Sequence, residues 1–297
     1  MECCLLGTGL LGSAIAERLL HQGHRLTVWN RHPERCTELA AAGARLAADP
    51  AAAVRDAELV LTVLADGAVT SAVLLEQAGR ALAGLLVLQL ATIGPAQSLA
   101  LAQQLEHLGC AYLEAPVLGS RPEALAGRLQ VMVGGGAADL QRALPVLRDL
   151  DPEPRHLGAV GAASHTKLAL NQLIASLTHS FSLSLHLVQQ AGVEVEAFMA
   201  ILRGSALYAP TFDKKLAKEL AGDYGNPNFP TAHLRKDLNL FVEAAAAQGL
   251  DTQGLEGLQR LLERATAAGL DALDYSALHA LTGSPQLGDA QRVCDDD

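Results

Sequence analysis

The sequence predicts two structural classes in succession: an α/β domain on a doubly wound parallel sheet, then an all-helical domain organised on one long spine helix. Three observations carry this reading. Short apolar runs alternate with segments of helical period through the first half. A glycine-rich turn, GTGLLG at 7–12, follows the first of those runs. From residue 162 to 191 neither proline nor glycine breaks a helical pattern, and strand patterns do not return afterwards.

The elements follow in order. ECCLLG reads as a strand and LLGSAIAERLLHQG as a helix; RLTVWN and PERCTELAAAG, ELVLTVLA and TSAVLLEQAGRAL, LLVLQLAT and PAQSLALAQQLEHLG repeat the unit. AYLEAPV and LQVMVGGG extend the sheet to about residue 135, and AADLQRALPVLRDL adds a helix. Pro152 and Pro154 in LDPEPRHLG then break the pattern. The long segment after them spans about 45 Å as a helix, enough for a spine and a dimer surface. VEAFMAILRG, FPTAHLRKDLNLFVEAAAAQG and TQGLEGLQRLLERATAAG are helical in period. The expected domains are 1–160 for the sheet and 161–288 for the helices, with 289–297 a disordered acidic tail.

Half of the 297 residues are apolar, enough for a sizeable core. No apolar run reaches the roughly 20 residues that span a bilayer, and MECCLLG has no basic leader, so a soluble, cytoplasmic protein is expected. Cys3, Cys4, Cys36, Cys110 and Cys294 make an odd count without C-x-x-C spacing, which favours reduced, buried thiols over disulfides or zinc. The histidines show no metal-ligand spacing, so no metal is expected. A net charge of −10 with few aromatics excludes an ordinary nucleic-acid binder.

In CLLGTGLLGSAIA, Gly7, Gly9 and Gly12 form G-x-G-x-x-G between a predicted strand and a predicted helix. Gly7 makes the tight turn, Gly9 lets backbone approach a pyrophosphate, and Gly12 allows close helix packing; the helix N-terminus faces the negative charge. This is a Rossmann-type dinucleotide site, with Thr8, Leu10 and Leu11 completing the turn. The second strand ends in Asn30 and Arg31, where a carboxylate would grip the ribose of NAD. Asn30 can bond the ribose side, and Arg31, helped by Arg35, can pair with a 2′-phosphate, so NADP is expected over NAD. Leu64, then Asp66 and Gly67, follow the next strand; Thr92 follows LLVLQLA. Leu64 is expected at the cofactor, and Thr92 at cofactor or substrate.

GAASHTKLALN at 161–171 places Lys167 and Asn171 four residues apart, on one helical face. Lys167 reads as a surface charge, as a desolvated acid donating to a developing alkoxide, or, with Ser164 in S-x-x-K, as part of an acyl-enzyme site whose S-D-N and K-T-G companions are missing. His165 points elsewhere on the helix and reads as a surface or packing group.

Four stretches in one order, GTGLLG, EAPVLGS at 114–120, GAASHTKLALN and LRKDLNL at 234–240, resemble the β-hydroxyacid dehydrogenases over nearly the whole chain. WNR after the second strand, the SRPE insertion and the run from YAPTF through FP to KD look most like the NADPH-preferring glyoxylate and succinic semialdehyde reductases. The resemblance implies Lys167 as proton donor with Asn171 in support, Gly119 and Ser120 as the carboxylate-capturing turn, Thr92 at the substrate, Phe229 lining the pocket, Lys236 near the cofactor and Asp237 steadying the lysines. Two positions depart from the family: Ala91 and Leu118 replace its usual serines. Leu118, Phe229, Leu207 and Tyr208 are expected to shape the pocket. The implied activity is NADPH-dependent reduction of a small carboxylate-bearing aldehyde or 2-oxo acid by a homodimer or homotetramer, without nucleic-acid or membrane partners. The rival readings are an imine reductase, which generally lacks this lysine, and a non-enzymatic nucleotide-sensing module. A 6-phosphogluconate dehydrogenase would need a far larger helical domain.

Overall fold

A computed structural model of the chain describes residues 1–283; the tail expected at 289–297 and Cys294 lie outside the described residues. The strands are β1 (Glu2–Leu6), β2 (Arg25–Trp29), β3 (Arg45–Leu46), β4 (Leu59–Thr62), β5 (Leu86–Gln89), β6 (Ala111–Glu114), β7 (Val117–Leu118), β8 (Gln130–Gly135) and β9 (Arg155–Gly158). They form one sheet in the order β3-β2-β1-β4-β5-β6-β8-β7, with β9 paired to β8.

Alternation along each central strand explains the double winding. Cys3, Leu5, Leu59, Leu61, Leu86 and Leu88 pack in one core with the helices Leu10–His21 and Ala137–Leu150. Cys4, Leu6, Val60 and Val87 face the other way, onto Val73, Leu74, Leu101 and Leu105. Each fully buried branched side chain contributes roughly 1.5–3 kcal/mol, and strands buried on both faces read as continuous apolar runs. The four described cysteines are buried and free within these cores.

Three expectations for this half need correction. The sheet does not end near residue 135 and is mixed: β8 runs antiparallel to β6 and β7, and β9 then pairs parallel with β8. Asp151 makes the return possible, its carboxylate accepting from Val131 N at 2.7 Å and Glu153 N at 2.9 Å. AYLEAPV is not one strand, because Pro116 separates β6 from β7. The segment TSAVLLEQAGRAL changes winding twice, from α over Gly67–Ser71 to π over Ala72–Ala78 and 3-10 over Gly79–Leu82.

Contacts divide the chain into two compact units, Met1–Ala169 and Leu170 onward, so the first eight residues of the helix Ala162–Gln190 belong with the sheet. The second unit is helical, and the long helix serves two cores there. Ala175 joins Leu234, Leu238, Leu261, Leu262 and Leu278; Phe181 and Leu185 join Met199 and Phe212, with the Phe181 and Phe212 rings stacked 4.7 Å apart. The helix Pro210–Ala221 is an element that the sequence reading did not single out. Among the described residues, no helix is long and apolar enough to cross a membrane.

Candidate active site

One row of paired residues orders the sheet's carboxyl edge. Trp29 pairs with Leu6, Leu6 with Thr62, Thr62 with Gln89 and Gln89 with Glu114. Beyond this row lie Gly7 to Gly12, Asn30 and Arg31, Leu64, Thr92 and the turn to Ser120. The strand order reverses between β1 and β4, and such a switch point opens a crevice outside the strand ends.

The glycine turn has the shape a pyrophosphate requires. Gly7 has φ +102° and a Cβ there would run into the carbonyl of Val63; a Cβ on Gly12 would run into the carbonyl of Gly7. Gly9 differs, because a Cβ there would meet nothing within 4 Å and would project into open space. The helix Leu10–His21 begins at Gly9 with no side-chain cap and no acidic residue in its first turn, leaving its N–H groups for an anion. Thr8 is buried with its hydroxyl 3.4 Å from Cys36 Sγ, while Leu10 is exposed and Leu11 half-buried. These residues fit a dinucleotide.

Asn30 Oδ1 accepts from His32 N at 2.9 Å, which leaves its amide NH2 as a donor. Arg31, after the strand end, and Arg35, in the 3-10 turn Pro33–Cys36, are both exposed. Leu64 packs partly against the core, and Thr92 is half-buried. Asp66 caps the helix Gly67–Ser71 through Val69 N at 2.8 Å.

At the end of the row, Glu114 is fully buried and receives the start of the long helix. Its Oε1 accepts from the N–H groups of Gly161 (2.8 Å), Ala163 (2.7 Å) and Ser164 (3.2 Å); its Oε2 accepts from the hydroxyls of Ser164 (2.6 Å) and Ser98 (2.7 Å). Lys167 follows Ser164 by three residues, about 4.5 Å along the axis, and is only 8% exposed. The surface reading of Lys167 therefore fails. His165 is exposed and its ring lies 2.7 Å from the Gly161 carbonyl.

The turn after β7 has a different balance. Gly119 has φ +124° and its Cβ would meet Leu129, so glycine is required there. The backbone N–H and hydroxyl of Ser120 both donate at 2.7 Å to one oxygen of Glu123, closing a capping box on the helix Arg121–Leu125. The Ser120 donors expected to meet a substrate carboxylate already hold that of Glu123.

In the helical unit, Asn171 Nδ2 donates to Asp237 Oδ2 at 2.5 Å, and Lys236 Nζ lies 3.1 Å from Asp237 Oδ1. Asp237 is 2% exposed, so this is no solvated charge pair. Phe229 packs beside Tyr275, ring centroids 5.8 Å apart. Leu207 is largely exposed, and the Tyr208 hydroxyl donates to Asp213 at 2.7 Å.

Known proteins match both units. Residues 2–155 match the family described as the NAD binding domain of 6-phosphogluconate dehydrogenase, and residues 161–282 match the NAD-binding family of NADP-dependent 3-hydroxyisobutyrate dehydrogenase. The chain belongs to the β-hydroxyacid dehydrogenase family. Among relatives, glyoxylate/succinic semialdehyde reductase 1 of Arabidopsis thaliana is 27% identical over 281 residues, covering 94% of this chain and 97% of that protein. The 3-sulfolactaldehyde reductase of Escherichia coli is 29% identical over 278 residues, 92% of this chain and 93% of that protein. The structure of Mycobacterium tuberculosis 3-hydroxyisobutyrate dehydrogenase with L-serine gives a TM-score of 0.85 at 25% identity, covering 96% of this chain and 100% of that one. This dehydrogenase is thus an NAD(P)-dependent oxidoreductase acting on CH–OH groups.

Sequence reasoning missed two carboxylates of the dehydrogenase, Glu114 and Glu123. Glu123 had a local signal, the S-x-x-E spacing of a capping box before ALAG. Glu114 had none, because its backbone partners lie 47 to 50 residues away.

Proposed function

We propose that the dehydrogenase reduces a small carboxylate-bearing aldehyde or 2-oxo acid with NADPH, reversibly, with succinic semialdehyde and glyoxylate as candidate substrates. The observation that carries this reading is Lys167, buried on the helix that starts at the sheet's carboxyl edge, in the same unit as the glycine turn. When bound, the nicotinamide supplies the hydride. Gly7, Thr8, Gly9, Leu10, Leu11 and Gly12 hold the pyrophosphate, with Leu64 and Thr92 alongside. Arg31 and Arg35 meet a 2′-phosphate and Asn30 the ribose, which favours NADPH over NADH in a loop whose exposed arginines face no carboxylate at the strand end.

Lys167 donates its proton to the carbonyl oxygen as the alkoxide develops. Asn171, one turn on, orients the substrate and is itself held by Asp237, which also pairs with Lys236, the residue assigned to the cofactor in this reading. The substrate carboxylate takes the Gly119 and Ser120 donors, displacing Glu123 from the N–H and hydroxyl of Ser120. Fixing that end aligns the carbonyl for transfer. Phe229 contributes an apolar wall. In this reading the functional division runs at 160/161, and the helical domain starts at 161; residues 284–288 of the expected domain lie outside the described residues.

The same reading makes the protein a cytoplasmic homodimer or homotetramer, supported by its buried free thiols and by Leu173, Leu187, Ile201 and Leu207, all at least half exposed in the helical unit. The test follows NADPH and NADH absorbance with succinic semialdehyde, glyoxylate and a cyclic imine, for wild type and Lys167→Ala. Oxidation of NADPH by an aldehyde, lost in the variant, supports the proposal. Full rate in the variant overturns the acid role, turnover of the imine alone points to an imine reductase, and tight NADPH binding without turnover points to a sensing module.

A further inference from the structure

We propose that Glu114 is a positioning residue: its carboxylate, imported from the sheet, sets the placement of the helix that carries Lys167. The proposal rests on the reading of Lys167 as the acid.

A helix start leaves N–H groups without partners, and these are ordinarily met by a Ser, Thr, Asp or Asn at the cap or an acidic residue in the first turn. The helix Ala162–Gln190 begins GAAS and has no acidic residue in its first turn. Its cap comes instead from the last residue of β6, on the row that also carries Leu6 and Thr62. Three N–H groups and the Ser164 hydroxyl converge on that one carboxylate, so both the position and the rotation of the first turn are tied to the strand end. Charge-assisted bonds of this kind are roughly twice as strong as neutral ones. A slip by one residue would turn every side chain of the helix by about 100°.

The surroundings are built for the same carboxylate. Ser98 gives its proton to Glu114, so the Tyr112 hydroxyl, 2.8 Å from Ser98 Oγ, donates in turn to Ser98. A Cβ on Gly134 would run into Glu114 Oε1, and Gly161, whose N–H is one of the donors, has φ +101°. Two glycines and two serines thus make room for or bond to a fully buried acid, and Tyr112 bonds to one of those serines. An ordinary cap at residue 161 would hold the helix equally well, but would not tie it to the row from which the cofactor turn departs.

Glu114→Gln keeps the size while replacing an acceptor by an NH2 that faces N–H groups. With saturating NADPH and the aldehyde that wild type reduces, its kcat is expected to fall about 10- to 100-fold, the scale of an ångström-level misplacement. The NADPH dissociation constant, from fluorescence quenching, should stay within about threefold, because the pyrophosphate turn is untouched. The deuterium isotope effect on kcat with 4-deuterated NADPH should rise as the chemical step slows, and Glu114→Asp should recover part of the rate. A merely structural role would move none of these in a protein that still melts cooperatively. A folded Glu114→Gln with kcat within about twofold of wild type, beside an inactive Lys167→Ala, overturns the proposal. An active Lys167→Ala instead overturns the acid reading itself, which is a separate result. Should Glu114→Gln not fold, Ser98→Ala removes one bond to Oε2, together with the Tyr112 bond to Ser98, and leaves the donors from residues 161–164 in place; a severalfold lower kcat at unchanged substrate KM supports the proposal, and unchanged kcat overturns it.

Discussion

The side-chain amide of Asn171 donates to Asp237 Oδ2 at 2.5 Å, and both residues are buried. With the nitrogen committed, the amide has one orientation, and its Oδ1 is a buried acceptor with no hydrogen-bond partner among the described residues. A buried acceptor without a partner costs about 1–3 kcal/mol, a burden that a donor on a bound ligand would relieve. Asp237→Ala should therefore lower kcat about 10- to 100-fold and stability by about 1–3 kcal/mol, since it leaves the Asn171 NH2 unpaired as well. Asn171→Ala should cost comparable activity and comparable stability, because it leaves the buried Asp237 Oδ2 without the Asn171 donor. Kinetics and thermal melts check both; unchanged kcat in Asp237→Ala means that Asp237 does not hold Asn171 for catalysis.

What was legible in the sequence was local. The central strands β1, β4 and β5 are apolar on both faces, and the glycine spacing and the Lys167 to Asn171 interval each lie within one turn or one helix. β9 was not legible because RHLG, mostly exposed at the sheet's margin, carries no apolar run. The helix Pro210–Ala221 hides for a related reason: Lys215 and Glu219 are on its buried side. Lys215 reads as solvated until Asp274, 59 residues later, takes its ammonium at 2.8 Å to both oxygens. Glu114 follows the same rule, its role being set by partners that only the fold brings near.

Glu123 holds both donors of Ser120, so a substrate carboxylate binds there only by displacing it. Glu123→Gln has a neutral, weaker acceptor and removes a like charge from the turn. The KM for succinic semialdehyde or glyoxylate should fall severalfold, while the KM for an uncharged aldehyde moves little. Steady-state kinetics on the two substrate types decide this: an unchanged or raised KM for the carboxylate-bearing substrate excludes Ser120 as its anchor.

Burial pushes the Glu219 carboxyl up to about 7 from 4.5, opposed by the nearby Ser182 hydroxyl and the Lys215 ammonium. Between pH 4.5 and 7 the native protein holds a proton that the unfolded chain has released, so this group's contribution to stability falls as pH rises through that window and is level outside it. Glu219→Gln, neutral throughout, should match wild type at pH 4.5 and exceed it progressively up to pH 7, with an upper figure of about 3 kcal/mol. Denaturant melts of the two proteins across pH 4.5 to 8 measure the difference. The difference isolates Glu219 from His279, which burial holds down at about 4 and whose own contribution is lost as pH falls from 6.5. A pH-independent gap between variant and wild type would contradict the assignment.

Gly9 and Gly12 belong to one fingerprint but answer to different constraints. Gly9 has φ −74°, which any residue adopts, and a Cβ there touches no atom of the described residues within 4 Å. Gly12 is buried, and its Cβ would strike the Gly7 carbonyl and lie 3.3 Å from Val63 Cβ. Gly9→Ala should consequently melt within about 2 °C of wild type without cofactor, while Gly12→Ala loses about 1–3 kcal/mol to overpacking and melts several degrees lower. Added NADPH raises the wild-type melting temperature by mass action. In Gly9→Ala that rise should largely vanish, since the methyl occupies the space the pyrophosphate approaches, with the dissociation constant at least about tenfold higher. A Gly9→Ala protein that is stabilised by NADPH as fully as wild type would place the phosphates elsewhere, and the reading of Lys167 as the acid would lose its hydride donor.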